Sequence, residues 1–206
     1  MMGAPRDFAR DLMQKKRNST LYAAIAAEAA LMGLLAYFLA RTSNFAAVIR
    51  FSLSVGNQTI RFWELFIAGV MFSLTFFFLK SLLFMLLART GPRLRLTYKQ
   101  AMYMQVPGTF YAIFFILMSM LATVGSGFQA LALLLVSSVA RAIIDLITWR
   151  DSTKITENQA IVLIVFTYLI LLLIGGVVID ILFPGISRFA ADGPAGAIGL
   201  IRNISL

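Results

Sequence analysis

The chain has 206 residues, 60% of them hydrophobic, with 18 Lys and Arg against 9 Asp and Glu, a net charge of +9 at pH 7. It contains no cysteine and no histidine, which excludes disulfides, thiolate nucleophiles, Cys- or His-based metal and haem sites, and an imidazole base. The acids are scattered and form no cluster of the kind that holds Mg²⁺ or Ca²⁺, so no cofactor or metal is expected. An excess of positive charge can mark nucleic-acid binding, but here the basic residues flank apolar runs, and no nucleic-acid partner is expected.

Residues 1–19 read as a short basic interfacial helix. Pro5 can open it, Phe8 and Leu12 share a face, and Lys15, Lys16 and Arg17 form the anionic-lipid contact. Five apolar spans follow, Thr20–Ala40, Glu64–Ala88, Ala101–Val124, Gly127–Trp149 and Asn158–Leu182. A helix needs about 20 apolar residues to cross the hydrocarbon core. The fold expected is therefore all-α, a polytopic membrane bundle of five transmembrane helices over 20–182. The first span contains Glu28, lacks a small-residue cleavage site and is read as a retained helix rather than a signal peptide. Its Ala23, Ala26, Ala27, Ala30 and Gly33 predict packing inside the bundle, where small residues let backbones approach.

Between spans one and two, Phe51, Leu53 and Val55 alternate with serines, Gly56-Asn57-Gln58 follows, and Ile60 and Phe62 alternate with Thr59 and Arg61. Period-two alternation about a Gly-Asn turn predicts a short amphipathic β-hairpin-like loop that can bind a partner. In span three, Pro107-Gly108 predicts a kink, because proline removes a backbone donor and crowds the preceding turn. Gly125-Ser126-Gly127 makes a tight turn, so spans three and four should form an antiparallel pair. Pro184-Gly185 stops span five, and 183–206 is read as an extracytoplasmic tail.

The positive-inside rule sets the orientation. With the N-terminus inside, the inner segments hold Arg6, Arg10, Lys15, Lys16, Arg17, Arg89, Arg93, Arg95, Lys99, Arg150 and Lys154. The outer segments hold Arg41, Arg50, Arg61, Arg188 and Arg202. The expectation is a multi-pass protein of a bacterial inner membrane or an organellar membrane, N-terminus cytoplasmic and C-terminus outside.

Glu28, Lys80, Arg141 and Asp145 fall inside the spans, where charge is costly and must face the protein interior or water. Glu28, Lys80 and Arg141 lie at a similar depth, about 12 Å below the cytoplasmic boundary at 1.5 Å per residue. Asp145 sits one turn from Arg141 on the same helical face. The set is neutral, and the pairing expected is Glu28 with Lys80 between helices and Arg141 with Asp145 within one. It can act as a register-fixing set of ion pairs or as a proton or substrate path.

The stretch from about Leu65 to Leu182 resembles the Yip1-like membrane domain. The likeness is carried by Leu96-Thr97-Tyr98-Lys99-Gln100-Ala101 leading into Val106-Pro107-Gly108, the turn at Gly125–Gly127, and the polar loop before Asn158-Gln159-Ala160. It implies a non-enzymatic membrane scaffold or accessory component that works with lipid and with other membrane protein subunits. Two alternatives stand beside it: an accessory subunit of an unrelated energy-transducing or transport complex, and a small transporter using the intramembrane charges.

Overall fold

The computed structural model describes Asp11, residues 18–42 and residues 62–182, with side chains described as far as 177. Five helices make up the described chain: α1 (Asn18–Arg41), α2 (Phe62–Thr90), α3 (Tyr98–Ala122), α4 (Gly127–Thr153) and α5 (Glu157–Leu182). All five are long and apolar enough to cross a membrane, so the described residues form an all-helical bundle of a kind compatible with a multi-pass membrane protein. The basic interfacial helix with Lys15, Lys16 and Arg17 lies outside the described residues, as do the tail and the hairpin positions Phe51, Leu53, Val55 and Ile60. No strand occurs among the described residues, and Phe62, expected in the hairpin, instead opens α2. The ring of Phe62 packs edge-on against Tyr37 of α1 at 4.8 Å and stacks on Phe66 one turn on at 5.6 Å. These aromatic contacts are made by a helical first turn, and they override the local alternation.

α3 is the central element. Every residue from Ala101 to Thr109 is buried, which requires neighbours on all sides, and α1, α2 and α4 supply them. α5 closes the bundle by packing on both α2 and α4. Outward faces carry large apolar side chains such as Leu135, Leu172 and Phe128, as a surface solvated by lipid requires.

α1 and α2 meet backbone to backbone. A Cβ at Gly69 would sit 2.8 Å from the Gly33 Cα and 2.8 Å from the Met32 carbonyl oxygen, and one at Gly33 would sit 2.7 Å from the Phe66 carbonyl oxygen. Only glycine at both positions permits this approach. The alanines of α1 divide between two faces: Ala24 and Ala29 are buried, while Ala23, Ala26, Ala27 and Ala30 are exposed. Of the small residues predicted to pack inside, Ala23, Ala26, Ala27 and Ala30 therefore face outward, and only Gly33 is buried.

Helix ends are defined by local chemistry. Thr97 and Gln100 form a capping box at the start of α3. Thr156 and Gln159 repeat it before α5, with the Thr156 N–H donating to Gln159 Oε1 at 3.2 Å and the Gln159 N–H donating to Thr156 Oγ1 at 3.4 Å. Each box satisfies otherwise orphaned amides of a first turn. α4 is capped by Ser126, which accepts from the Gln129 N–H, and ends at Lys154 in the left-handed region. In the α2–α3 loop, the Arg89 guanidinium donates to the Leu96 carbonyl at 2.9 and 3.2 Å.

A buried charge cluster as the candidate functional site

The four intramembrane charges come together in the bundle interior. Lys80 and Asp145 are 0% exposed, Glu28 6% and Arg141 8%. Each lies about eight to twelve residues, or roughly 12–18 Å, inside the helix end on the Thr90 and Thr153 side. Their partners are exchanged relative to the sequence expectation. Arg141 pairs with Glu28, linking α4 to α1, and Lys80 pairs with Asp145, linking α2 to α4.

The exchange has a geometric reason. The planar guanidinium presents two parallel donors, and the Glu28 carboxylate meets both: Nη1 donates to Oε1, and Nη2 donates to Oε2 at 3.3 Å. Nη2 also donates to Thr109 Oγ1 of α3 at 3.1 Å. Asp145 Oδ2 is engaged elsewhere, accepting from Lys80 Nζ and from the Tyr168 hydroxyl, the latter at 2.8 Å. Tyr168 in turn accepts from Lys80 Nζ at 2.8 Å, so ammonium, phenol and carboxylate form a closed triangle. The ammonium also lies 4.8 Å from the Tyr168 ring centroid and 5.5 Å from that of Phe84. The ammonium of Lys80 thus sits in a corner walled by two aromatic rings.

Tyr168, Thr109, Gln105 and Ser81 were not singled out from sequence. Gln105 Nε2 donates to Ser81 Oγ at 2.6 Å, and Ser81 Oγ donates to the Phe77 carbonyl at 2.9 Å. A tyrosine in the middle of an apolar span was a readable signal, because a buried phenol seeks a hydrogen-bond partner. With these residues every helix contributes to one polar core, and its formal charge is zero.

Pro107 and Gly108 are both buried and lie beside the cluster. α3 continues through Pro107. The missing proline N–H leaves the Tyr103 carbonyl without its helical donor. Gly108 has a more direct function. A Cβ there would be 2.8 Å from Asp145 Oδ1 and 3.2 Å from Arg141 Cγ, so glycine allows the charged face of α4 to lie against α3.

Several polar atoms on that face are buried without a hydrogen-bond partner among the described residues: Arg141 Nε, Asp145 Oδ1, Thr148 Oγ1, Trp149 Nε1 and Ser152 Oγ. Two clefts open on the bundle surface, one along α1 and α3 and one between the ends of α2 and α5, and no residue of the cluster lines either. No group of three or more His, Cys, Asp or Glu among the described residues could hold a metal ion. Comparison with protein-family models, with curated proteins and with solved structures gave no match.

Proposed function

We propose that this is a non-enzymatic, Yip1-like multi-pass membrane protein, a scaffold or accessory component whose working surfaces are its lipid-facing helices and its loops. The observation that carries this reading is the closure of the charge cluster. Each charged side chain is paired inside the bundle, and none of the four lines either of the two surface clefts. Such an arrangement fixes helix register and partner choice, a well-attested use of buried polar groups. The Yip1-like resemblance spans α2 to α5. Among the residues that carry it, Thr97 and Gln100 form one capping box, Gln159 belongs to the other, and Gly108 is where α3 meets the cluster.

The end of the bundle bearing Arg89, Arg93, Arg95, Lys99, Arg150 and Lys154 is assigned to the cytoplasm, with the N-terminus on that side and the C-terminus opposite. The test is a mild-detergent pull-down from native membranes, followed by mass spectrometry of stoichiometric partners. A free-standing scaffold is recovered alone or as a self-associated species. A partner at fixed ratio would instead establish an accessory subunit of a larger complex.

A second reading, a proton path, draws on the row of unpartnered polar atoms along α4 from Arg141 to Ser152. Glu28→Gln separates the two. The scaffold reading expects lower thermal stability with assembly and any flux per folded molecule unchanged; loss of flux in a normally folded variant would select the path.

A further inference from the structure

At the end of the bundle that carries the α2–α3 loop, a cleft of about 470 Å³ opens between α2 and α5. Its lining changes character along the helix axes. The mouth is formed by Thr90, Asn158 and Gln159, and the walls further in by Leu87, Val162 and Phe166. Phe166 lies eight residues beyond Asn158, about 12 Å deeper at the helical rise. Val162 and Phe166 are 54% and 52% exposed, so the inner part is an apolar trough open to lipid.

The donors of the mouth come from α5, since the Thr90 hydroxyl is spent on the Leu86 and Leu87 carbonyls of its own helix. Gln159 spends its side-chain oxygen on the Thr156 N–H, which leaves its amide NH₂ as the free end. The flanking segment 89–100 holds Arg89, Arg93, Arg95 and Lys99 and no acid. Arg89 is committed to the Leu96 carbonyl. Arg93, next to the lining residue Pro92, is exposed and held in the left-handed region at φ 57°. On the α5 side Lys154 offsets Glu157, and Arg150 is paired with Asp151. The mouth is therefore net positive.

We propose that this cleft is a binding site for one anionic phospholipid of the adjacent leaflet. The phosphate meets Arg93 and the Asn158 and Gln159 amides, and one acyl chain lies in the trough along Leu87, Val162 and Phe166. A zwitterionic lipid fills the same trough, but its added ammonium forfeits the attraction of the basic mouth. The proposal rests on the chain spanning a bilayer and not on the scaffold role, so either can fail alone.

The test uses the full chain in phosphatidylcholine nanodiscs doped with phosphatidylglycerol carrying a photoactivatable diazirine on an acyl chain, with adducts mapped by peptide mass spectrometry. Adducts are expected at Leu87, Val162 and Phe166, several-fold more abundant than with a phosphatidylcholine probe of the same chain. Arg93→Gln, an exposed change that spares the fold, should reduce that preference about five-fold, the effect of one basic residue near an anionic surface. Equal labelling by the two probes would overturn the proposal. So would labelling at Leu135 and Leu172, on other outward faces, as strong as in the cleft, or an unchanged preference in Arg93→Gln.

Discussion

Lys80→Met isolates the energetic role of the cluster. The methionine keeps the apolar stem between Phe84 and Tyr168 but removes the ammonium, leaving Asp145 fully buried with the Tyr168 hydroxyl as its remaining donor. Breaking one side of a buried ion pair typically costs about 3–5 kcal/mol, because the surviving charge is uncompensated. For a chain of this size each kcal/mol moves the melting midpoint by about 2–4 °C, so a fall of roughly 6–20 °C is expected. The double variant Lys80→Met/Asp145→Asn removes both charges, and the Asn carbonyl can still accept from Tyr168. Most of the loss should return. The assay is thermal unfolding of the purified protein in one fixed detergent, run on wild type, both single variants and the double as a cycle. If Lys80→Met melted within about 1 °C of wild type, the ammonium would have to reach water, and the buried pairing would be refuted. Additive losses in the cycle would refute the coupling.

Three other substitutions probe the packing around the same core. Gly69→Ala should destabilise by about 1–3 kcal/mol or more, since its Cβ meets Gly33 and Met32 backbone that cannot rotate away; cysteine cross-linking between α1 and α2 should weaken in parallel. Gly108→Ala meets side-chain atoms of Asp145 and Arg141 instead, so its thermal shift should exceed that of an exposed control such as Gly176→Ala, where nothing lies within 4 Å. Tyr168→Phe removes the hydroxyl that bridges Lys80 and Asp145 and should cost about 1–3 kcal/mol by chemical or thermal unfolding.

The helices and the charges were legible because each is a property of a single stretch of chain. Twenty apolar residues must cross a bilayer as a helix whatever surrounds them, and Glu28, Lys80, Arg141 and Asp145 stand out against that background. The pairing was hidden because it depends on which helices are neighbours. α4 presents both Arg141 and Asp145 inward, and which carboxylate, Glu28 or Asp145, each cation takes is settled by guanidinium geometry and by Tyr168, a residue of another span. Gln105, Ser81 and Thr109 gave no signal, since neutral polar residues are tolerated throughout membrane helices. The faces of α1 were misread for a similar reason. Small residues favour helix contacts only as a tendency, and Ala24 and Ala23 look alike until a neighbour is placed. Gly69 could not be matched to Gly33 without the α1–α2 crossing.

The position of both counter-charges on α4 sets a timetable for biogenesis. Glu28 and Lys80 enter the membrane with the first two helices, yet Arg141 and Asp145 are synthesised some sixty to more than a hundred residues later. During that interval Glu28 and Lys80 lack the α4 partners they hold in the finished bundle. Each such residue costs about 2.5–3.5 kcal/mol on insertion scales, a load these long apolar helices can bear. Their final depth and rotation are then locked only when α4 arrives. A ribosome-bound chain ending before Arg141 is thus inserted but unsettled, and extension through Asp145 turns a set of separate spans into one body.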